Sequence, residues 1–138
     1  LARASFVVLT PPDMDFEGRT SVSIRDLDGL DFISLDSRGP LGRLLSNHIE
    51  SSGAELNYVA YAETYQVAKA LVSYGVGVTI VDEITALSSG HESTRRWPLE
   101  PEIRYRISSL HLDKSTQSIV CQQFISHLKD RLGRFLFG

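Results

Sequence analysis

The sequence predicts an α/β fold built on a mostly parallel sheet. Short runs of apolar, β-branched residues alternate with segments of 10–15 residues that have helical periodicity, which is typical of right-handed βαβ units. Hydrophobic residues make up 42% and charged residues 22% of the 138-residue chain, as in an ordinary globular protein. In segment 62–82, a helix start, a helix, a helix stop and a strand follow one another with no residue between them. We expect the other elements to be arranged around this segment.

Segment 62–82 has the sequence AETYQVAKALVSYGVGVTIVD. Thr64 is predicted to cap the helix, because its hydroxyl can accept from a backbone N–H that the first turn leaves unpaired. Gly75 is predicted to end the helix, since glycine adopts the left-handed conformation without a Cβ penalty. The run 78–81, VTIV, is predicted to be a strand buried on both faces. Apolar residues follow the cap at helical spacing: Val67, Ala68, Leu71, Val72 and Tyr74.

The elements before this segment follow from shorter patterns. Apolar runs predict strands over 5–9, 31–35 and 56–62. Pro40 favours a helix start, since proline suits the first helical position, and Gly53 favours its end. The segment 21–29 predicts an extended piece and then a helical turn with Leu27 inward.

The elements after this segment are a loop, two strands and a long helix. The polar run 87–92 predicts a surface loop, and 95–99 a short strand. Alternation over 103–112 predicts a longer strand that is either half-covered or crosses between lobes. Segment 113–115 is predicted to form a turn and cap, 116–134 a helix, and 135–137 an apolar tail. The inward residues of that helix are predicted to be Ile119, Val120, Phe124, Leu128 and Leu132.

Composition excludes several functional classes. A net charge of −3 and a pI near 5.8 argue against DNA binding by this chain, because DNA-binding domains are usually basic over one face. The single cysteine, Cys121, cannot form an internal disulfide, which fits a reducing compartment. We expect the protein to be cytoplasmic. No apolar run approaches the roughly 18–20 residues of a membrane span, so no membrane association is expected.

Polar residues concentrate where three predicted strands end. Because ligands of α/β sheets bind at the carboxyl ends of the strands, these residues are the candidate site. Helix N-termini there suit a carboxylate, while the acids suit a cation, so the combination favours a zwitterion such as a basic amino acid or an amino-acid derivative. The alternatives are helix caps or solvated surface charges, and Arg38 could neutralise Asp36. The candidate residues are Ser34, Asp36, Ser37, Glu63, Thr64, Tyr65 and Asp82.

Catalytic and metal chemistry have no motif in this sequence. The four histidines lack metal-ligand spacing, and Cys121 lies on a predicted helix without a base at a suitable position. The Gly75-x-Gly77 pair follows a helix rather than preceding one, unlike a dinucleotide-binding loop. We therefore expect no enzyme activity, no cofactor and no metal.

The chain resembles the effector-binding domain of LysR-type transcriptional regulators. The resemblance rests on three parts of the sequence. The first is SIRDLDGLDFISLDSRGPLGRLL, and the last is the strand RYRISSLHL with the helix SIVCQQFISHL. The middle part is the most specific: ET is followed by a helix and then by the pattern LV-x-x-G-x-G-V-x-I-V-D. It implies an α/β fold like that of type 2 periplasmic binding proteins, with one complete lobe and part of the second. By resemblance, 1–32 belong to the first lobe, 33–99 form the second lobe, and 100–138 supply a return strand and the C-terminal helix of the first.

The resemblance also implies a function. A small-molecule inducer would bind between two lobes and signal to DNA-binding domains, so promoter DNA would be contacted only through an N-terminal domain missing from this sequence. Half of the first lobe is also expected to be missing. The protein would be a dimer or tetramer, and we expect self-association through unpaired edges at 5–9 or 103–112. The alternative is a free-standing solute-binding protein of a transporter, which predicts a secretion signal upstream.

Overall fold

The computed structural model describes residues 1–88, 90, 93–112 and 116–138. Six strands and four α-helices are present among them, together with a 3₁₀ turn at Ile24–Leu27. The strands are β1 (Ala2–Thr10), β2 (Asp31–Leu35), β3 (Asn57–Ala62), β4 (Thr79–Asp82), β5 (Arg95–Pro98) and β6 (Arg104–Ile107). The helices are α1 (Pro40–Ser52), α2 (Tyr65–Ser73), α3 (Glu83–Leu87) and α4 (Ile119–Phe137).

The sheet is mixed, so the prediction of a mostly parallel sheet is wrong. β2 and β3 are parallel, and a parallel bridge joins Phe32 of β2 to Val78 beside β4. β1, however, pairs antiparallel with β4, β5 and β6. The predicted free edge at 5–9 is also absent, because Phe6–Leu9 pair with β4 while Val7–Thr10 pair with β5 on the other side. Self-association through that edge is therefore not supported.

The hydrophobic core has two apolar clusters, one on each face of β1. Phe6 and Val8 point into one apolar cluster together with Phe32. Val7 and Leu9 point into the other cluster, since successive side chains of a strand face opposite ways. Each such fully buried apolar side chain contributes about 1.5–3 kcal/mol to folding, so these two clusters hold β1 in the middle of the structure.

The helix boundaries predicted around the central segment are confirmed. Thr64 is the N-cap of α2, and its side chain accepts from the N–H of Val67. Gly75 follows the helix with a φ of 77°, and Gly53 ends α1 with a φ of 69°. Pro40 occupies the first position of α1.

The inward face predicted for the last helix is wrong for its first half, whereas Leu128 and Leu132 are half-buried. α4 has no buried residue, and the side chain of Phe124 is 62% exposed. Ile119 and Val120 are exposed in the same way. Periodicity shows that a helix has an apolar stripe, but it does not show that anything in this chain covers the stripe. α4 starts at Ile119 with Ser118 as its cap, and the predicted cap 113–115 lies outside the described residues.

Three further boundaries differ from the prediction. The strand predicted over 103–112 is confined to β6, because residues 108–112 have no regular structure. The tail 135–137 continues α4 rather than leaving it. The loop predicted to begin at Leu87 begins one residue later, since α3 occupies Glu83–Leu87 directly after β4; residues 89, 91 and 92 of that loop are not described.

Residues 21–30 pack with the rest of the sheet. The 3₁₀ turn places Leu27 inward, as predicted, and it shares a cluster with Val22, Phe32 and Leu45. A capping box between Ser23 and Asp26 fixes the turn. Among the described residues, no helix combines the length and apolarity needed to cross a bilayer.

Candidate functional site

The three loops of the candidate site lie at one edge of the sheet. Leu35 and Ala62, which end β2 and β3, are register partners, and the N–H of Asp36 donates to the Ala62 carbonyl at 3.2 Å. β4 runs alongside β2, since the Thr79 hydroxyl donates to the Ile33 carbonyl at 2.9 Å. The residues after β2, after β3 and at the end of β4 therefore share this edge.

The N-terminus of α2 presents backbone donors at this edge. Thr64 Oγ1 accepts from the Val67 N–H at 3.2 Å, which leaves the N–H groups of Tyr65 and Gln66 without an acceptor inside the helix. An anion there is typically stabilised by about 0.3–1 kcal/mol. Glu63 directly precedes the cap in the sequence and is exposed to solvent.

Asp36 is paired within its own loop. Its carboxylate accepts from Arg38 Nε at 2.8 Å and from Arg38 Nη2 at 2.7 Å. It also accepts from the Arg38 N–H at 3.0 Å. The hydrogen bonds from the Arg38 guanidinium and backbone hold the pKa of Asp36 below its usual value of 3.8. Asp36 thus remains ionised, but its charge is already balanced by Arg38.

Asp82 is the most buried acid of the site, with 8% of its surface exposed. Its Oδ1 accepts from the Thr85 N–H at 3.0 Å and so caps α3. The same oxygen accepts from the Tyr105 hydroxyl at 3.4 Å. Asp82 therefore links β4 and α3 to β6 through this one oxygen.

Tyr65 lies between the edge and the core. Its ring packs against both apolar clusters, and its hydroxyl oxygen is buried without a hydrogen-bond partner among the described residues. Burial, and then the negative charge of Asp82, raise the pKa of Tyr65 to about 12. The hydroxyl is therefore protonated at neutral pH and able to donate.

Ser34 and Ser37 face a different space from Tyr65. Both line a cavity of about 310 Å³ between β2 and α1, which also has Phe32 and Leu45 in its wall. A larger cavity of about 790 Å³ lies beside β1, β5 and β6, and none of the seven candidate residues lines it. The edge thus brings together Asp36, Glu63, Thr64, Tyr65 and Asp82, while the two serines open mainly toward α1.

Two residues near the site were not singled out from the sequence. Lys69 of α2 is 4% exposed, and its ammonium donates to the carbonyls of Ser88 at 2.7 Å and Thr85 at 3.3 Å. Lys69 lies four residues after Tyr65 and three before Val72, which places it on the apolar stripe of the helix. A lysine on that stripe is a sequence signal for a buried ammonium. Tyr105 gave a similar signal, because a hydroxyl on the apolar side of a strand needs a partner.

No group of three or more metal-binding side chains comes together in 1–88, 90, 93–112 and 116–138. The candidate edge carries strand ends, the N-terminus of α2 and a few polar side chains, and ligands of α/β sheets commonly bind at such an edge.

Comparison with known proteins identifies the family. Residues 1–133 match the family model described as the LysR substrate binding domain. The chain therefore belongs to this family, which has a fold like that of type 2 periplasmic binding proteins. It is 28% identical over 130 residues to the HTH-type transcriptional regulator DgcR of a Pseudoalteromonas species. That match covers 94% of this chain and 45% of the relative, so the chain spans about half its length.

Solved structures show the same fold. HinK, a LysR family transcriptional regulator from Pseudomonas aeruginosa, superimposes with a TM-score of 0.71 at 16% identity, covering 96% of this chain and 46% of HinK. The regulatory domain of CcmR from Synechocystis PCC6803, solved in complex with 2-PG, superimposes with a TM-score of 0.69 at 13% identity. That match covers 94% of this chain and 63% of the CcmR domain.

Proposed function

We propose that this chain senses a small-molecule effector within a LysR-type transcriptional regulator, and that the effector is an amino acid or an amino-acid derivative. The observation that carries the proposal is the position of Glu63 beside the N-terminus of α2, at the edge where β2, β3 and β4 end. The backbone donors of α2 suit the effector's carboxylate, while Glu63 suits its ammonium group.

The state of the other two acids sharpens this proposal. Asp36 is balanced by Arg38, and Asp82 is occupied by α3 and Tyr105. Glu63 forms no ion pair in the part of the chain that the structure describes. A carboxylate and an ammonium about 4 Å apart attract by about 4 kcal/mol at an effective dielectric of 20, before desolvation is subtracted. Glu63 is thus the acid we assign to the ammonium, while Asp36 and Asp82 shape the edge.

Effector binding would act by shifting a population of conformations. An effector changes the balance between two states only by its differential affinity for them. A change from 1:99 to 99:1 requires about 5.5 kcal/mol, which exceeds the attraction at Glu63 alone. Contacts from the remainder of the regulator must supply the rest.

The remaining partners belong to the whole regulator. We propose a cytoplasmic homo-oligomer, either a dimer or a tetramer, that meets promoter DNA through a domain outside this chain. The net charge of −3 supports a sensing role rather than DNA contact for the chain itself. The family match and the description of DgcR as a transcriptional regulator support a regulator over a solute-binding protein of a transporter.

The division between lobes is also a proposal. The uncovered face of α4 supports the assignment of 100–138 to a lobe that is completed elsewhere in the protein. Val22 and Leu27, by contrast, share a core with Phe32 and Leu45. This packing supports moving the start of the second lobe from residue 33 toward the beginning of the chain.

Calorimetry on the intact protein tests the proposed effector. The panel consists of the twenty standard L-amino acids, benzoate as an aromatic carboxylate and n-pentylamine as an amine. We expect an amino acid to bind, and Glu63→Gln to weaken that binding at least tenfold, or about 1.4 kcal/mol. Glu17→Gln is the matched control, because it removes an exposed acid from the loop after β1, outside the candidate site. It should leave the affinity unchanged. Binding of benzoate without binding of any amino acid or amine would refute the proposal.

A further inference from the structure

Three arginines lie on one exposed face of the β1–β6 pair. Arg3 of β1 is the register partner of Arg106 on β6, and the next pair on this face joins Ser5 to Arg104. Residues directly opposite each other in an antiparallel pair share a face, as do residues two apart along a strand. All three arginines are exposed, whereas Ala4 on the opposite face is buried. The strand pairing therefore gathers three positive charges on one surface, which we call the arginine face.

Two of these three charges have no acidic partner. Arg104 forms an ion pair with Glu102 at 2.6 Å, and Glu102 also accepts from the Ser5 hydroxyl. Arg3 and Arg106 form no ion pair in the part of the chain that the structure describes. Side chains directly opposite each other have Cβ atoms about 4.5–5.5 Å apart, and like charges in such positions destabilise the strand pair. An anion bound between the two arginines would remove this repulsion.

The cavity of about 790 Å³ adjoins the arginine face. Arg3 and Arg104 both line it, as does Ser5. Its wall also has apolar residues from β1 and from the end of α4, among them Phe6 and Phe137. Ligand cavities typically have about 300–1,000 Å³ and combine an apolar lining with a few polar groups. The cavity therefore fits a small molecule that has an apolar body and an anionic end.

Two further glutamates line the cavity, and each has a partner of its own. Glu83 accepts from the Ser5 N–H at 3.3 Å, and its other oxygen lies 3.9 Å from Arg96 Nη1. Glu100 accepts from the Ser21 hydroxyl at 2.7 Å. Among the described residues, neither acid forms an ion pair with an arginine of β1 or β6. The acids of the cavity thus leave two charges of the arginine face unpaired.

We propose that the arginine face binds a phosphate monoester of a small molecule, with the phosphate at Arg3 and Arg106 and the body of the molecule in the 790 Å³ cavity. A phosphate monoester carries a charge of about −1.5 to −2 near pH 7, which matches two unpaired guanidinium groups better than a singly charged carboxylate does. Guanidinium groups also bind phosphate through paired hydrogen bonds. None of the candidate effector residues lines this cavity, so the site is a second one and goes beyond the proposed function.

Calorimetry on the intact protein at neutral pH and constant ionic strength tests the site with inorganic phosphate, phenyl phosphate and phenol. We expect phenyl phosphate to bind more tightly than inorganic phosphate, because its ring enters the cavity, and phenol not to bind. Arg3→Gln and Arg106→Gln should each weaken the binding of phenyl phosphate at least tenfold, or about 1.4 kcal/mol. Arg131→Gln, at an exposed position of α4 that does not line the cavity, should leave the affinity unchanged.

The variants also separate this site from the proposed effector site. Glu63→Gln should leave the affinity for phenyl phosphate unchanged, while Arg3→Gln and Arg106→Gln lower it. The proposal is overturned if phenyl phosphate does not bind, or if it binds the arginine variants as tightly as the unmodified protein. Binding that Glu63→Gln changes and the arginine variants do not would place phenyl phosphate at the N-terminus of α2 and overturn the proposal as well. The amino-acid site is tested with different ligands, so the two proposals can fail separately.

Discussion

The ammonium of Lys69 lies 2.7 Å from the carbonyl oxygen of Ser88. It also donates to the carbonyl of Thr85 at 3.3 Å, and these contacts place a positive charge at the C-terminal end of α3. Cations are favourable there because the last carbonyls of a helix lack backbone donors. Lys69 thus connects α2, which carries the candidate effector site, to α3.

Replacing this ammonium should weaken the fold. Lys69→Met keeps roughly the length of the side chain but leaves the Ser88 carbonyl without its donor, whereas the Thr85 carbonyl still accepts from the Ser88 hydroxyl at 2.7 Å. We therefore expect the free energy of unfolding to fall by about 1–3 kcal/mol. Urea denaturation measures the change. The matched control is Lys129→Met on the exposed surface of α4, where the effect should stay within about 0.5 kcal/mol. An unchanged or higher stability for Lys69→Met would contradict the role assigned to this contact.

The buried hydroxyl of Tyr65 should make the protein sensitive to alkali. Its pKa is raised from 10.0 to about 12 in the folded state, so between these pH values the folded state holds a proton that the unfolded state has released. Stability therefore falls as the pH rises from 10 to 12. Tyr65→Phe should make this fall shallower, as measured by urea denaturation at pH 8, 10 and 11.

Tyr105 provides a second contribution of the same sign, because its pKa is also raised by burial and by Asp82. A Tyr65→Phe variant should therefore retain part of the alkaline sensitivity. Tyr74→Phe serves as the control at an exposed position. If the unmodified protein, Tyr65→Phe and Tyr74→Phe lose the same stability between pH 8 and pH 11, the pKa of Tyr65 is not raised by folding.

Phe32 and Phe124 should differ strongly in their contributions to the free energy of unfolding. Phe32 is 2% exposed in the core, whereas Phe124 on α4 is 62% exposed. Phe32→Ala should cost about 3–5 kcal/mol, while Phe124→Ala should change stability by no more than about 0.5 kcal/mol. Urea denaturation of the 138-residue chain compares them. A large loss for Phe124→Ala would show that α4 has a covering partner in this chain.

Local signals in the sequence predicted the part of the fold on which the site is built. The hydroxyl of Thr64 and the left-handed Gly75 act within one turn of their helix, so their roles follow from neighbouring residues alone. The strand ends after Leu35 and Ala62 followed from the alternation of strands and helices in the same way. These elements position Glu63 and Thr64, which remain the central effector contacts that we propose.

Long-range relationships were not predictable from the same patterns. The antiparallel pairing of β1 depends on strands about 70 to 100 residues further along the chain. The exposed stripe of α4 has the same periodicity as a buried one, because periodicity describes a helix and not its neighbours. The bond from Tyr105 to Asp82 likewise joins residues 23 positions apart, and only the tertiary structure brings them together.

The most direct test of the account is an NMR titration of the intact protein with the amino acid that calorimetry selects. The amide signals of Glu63, Tyr65 and Gln66 report on the N-terminus of α2, and those of Arg96 and Glu100 report on the 790 Å³ cavity beside β1 and β5. We predict that the first set shifts with the effector concentration while the second set stays in place. Shifts confined to Arg96 and Glu100 would place the effector in the larger cavity and contradict the account.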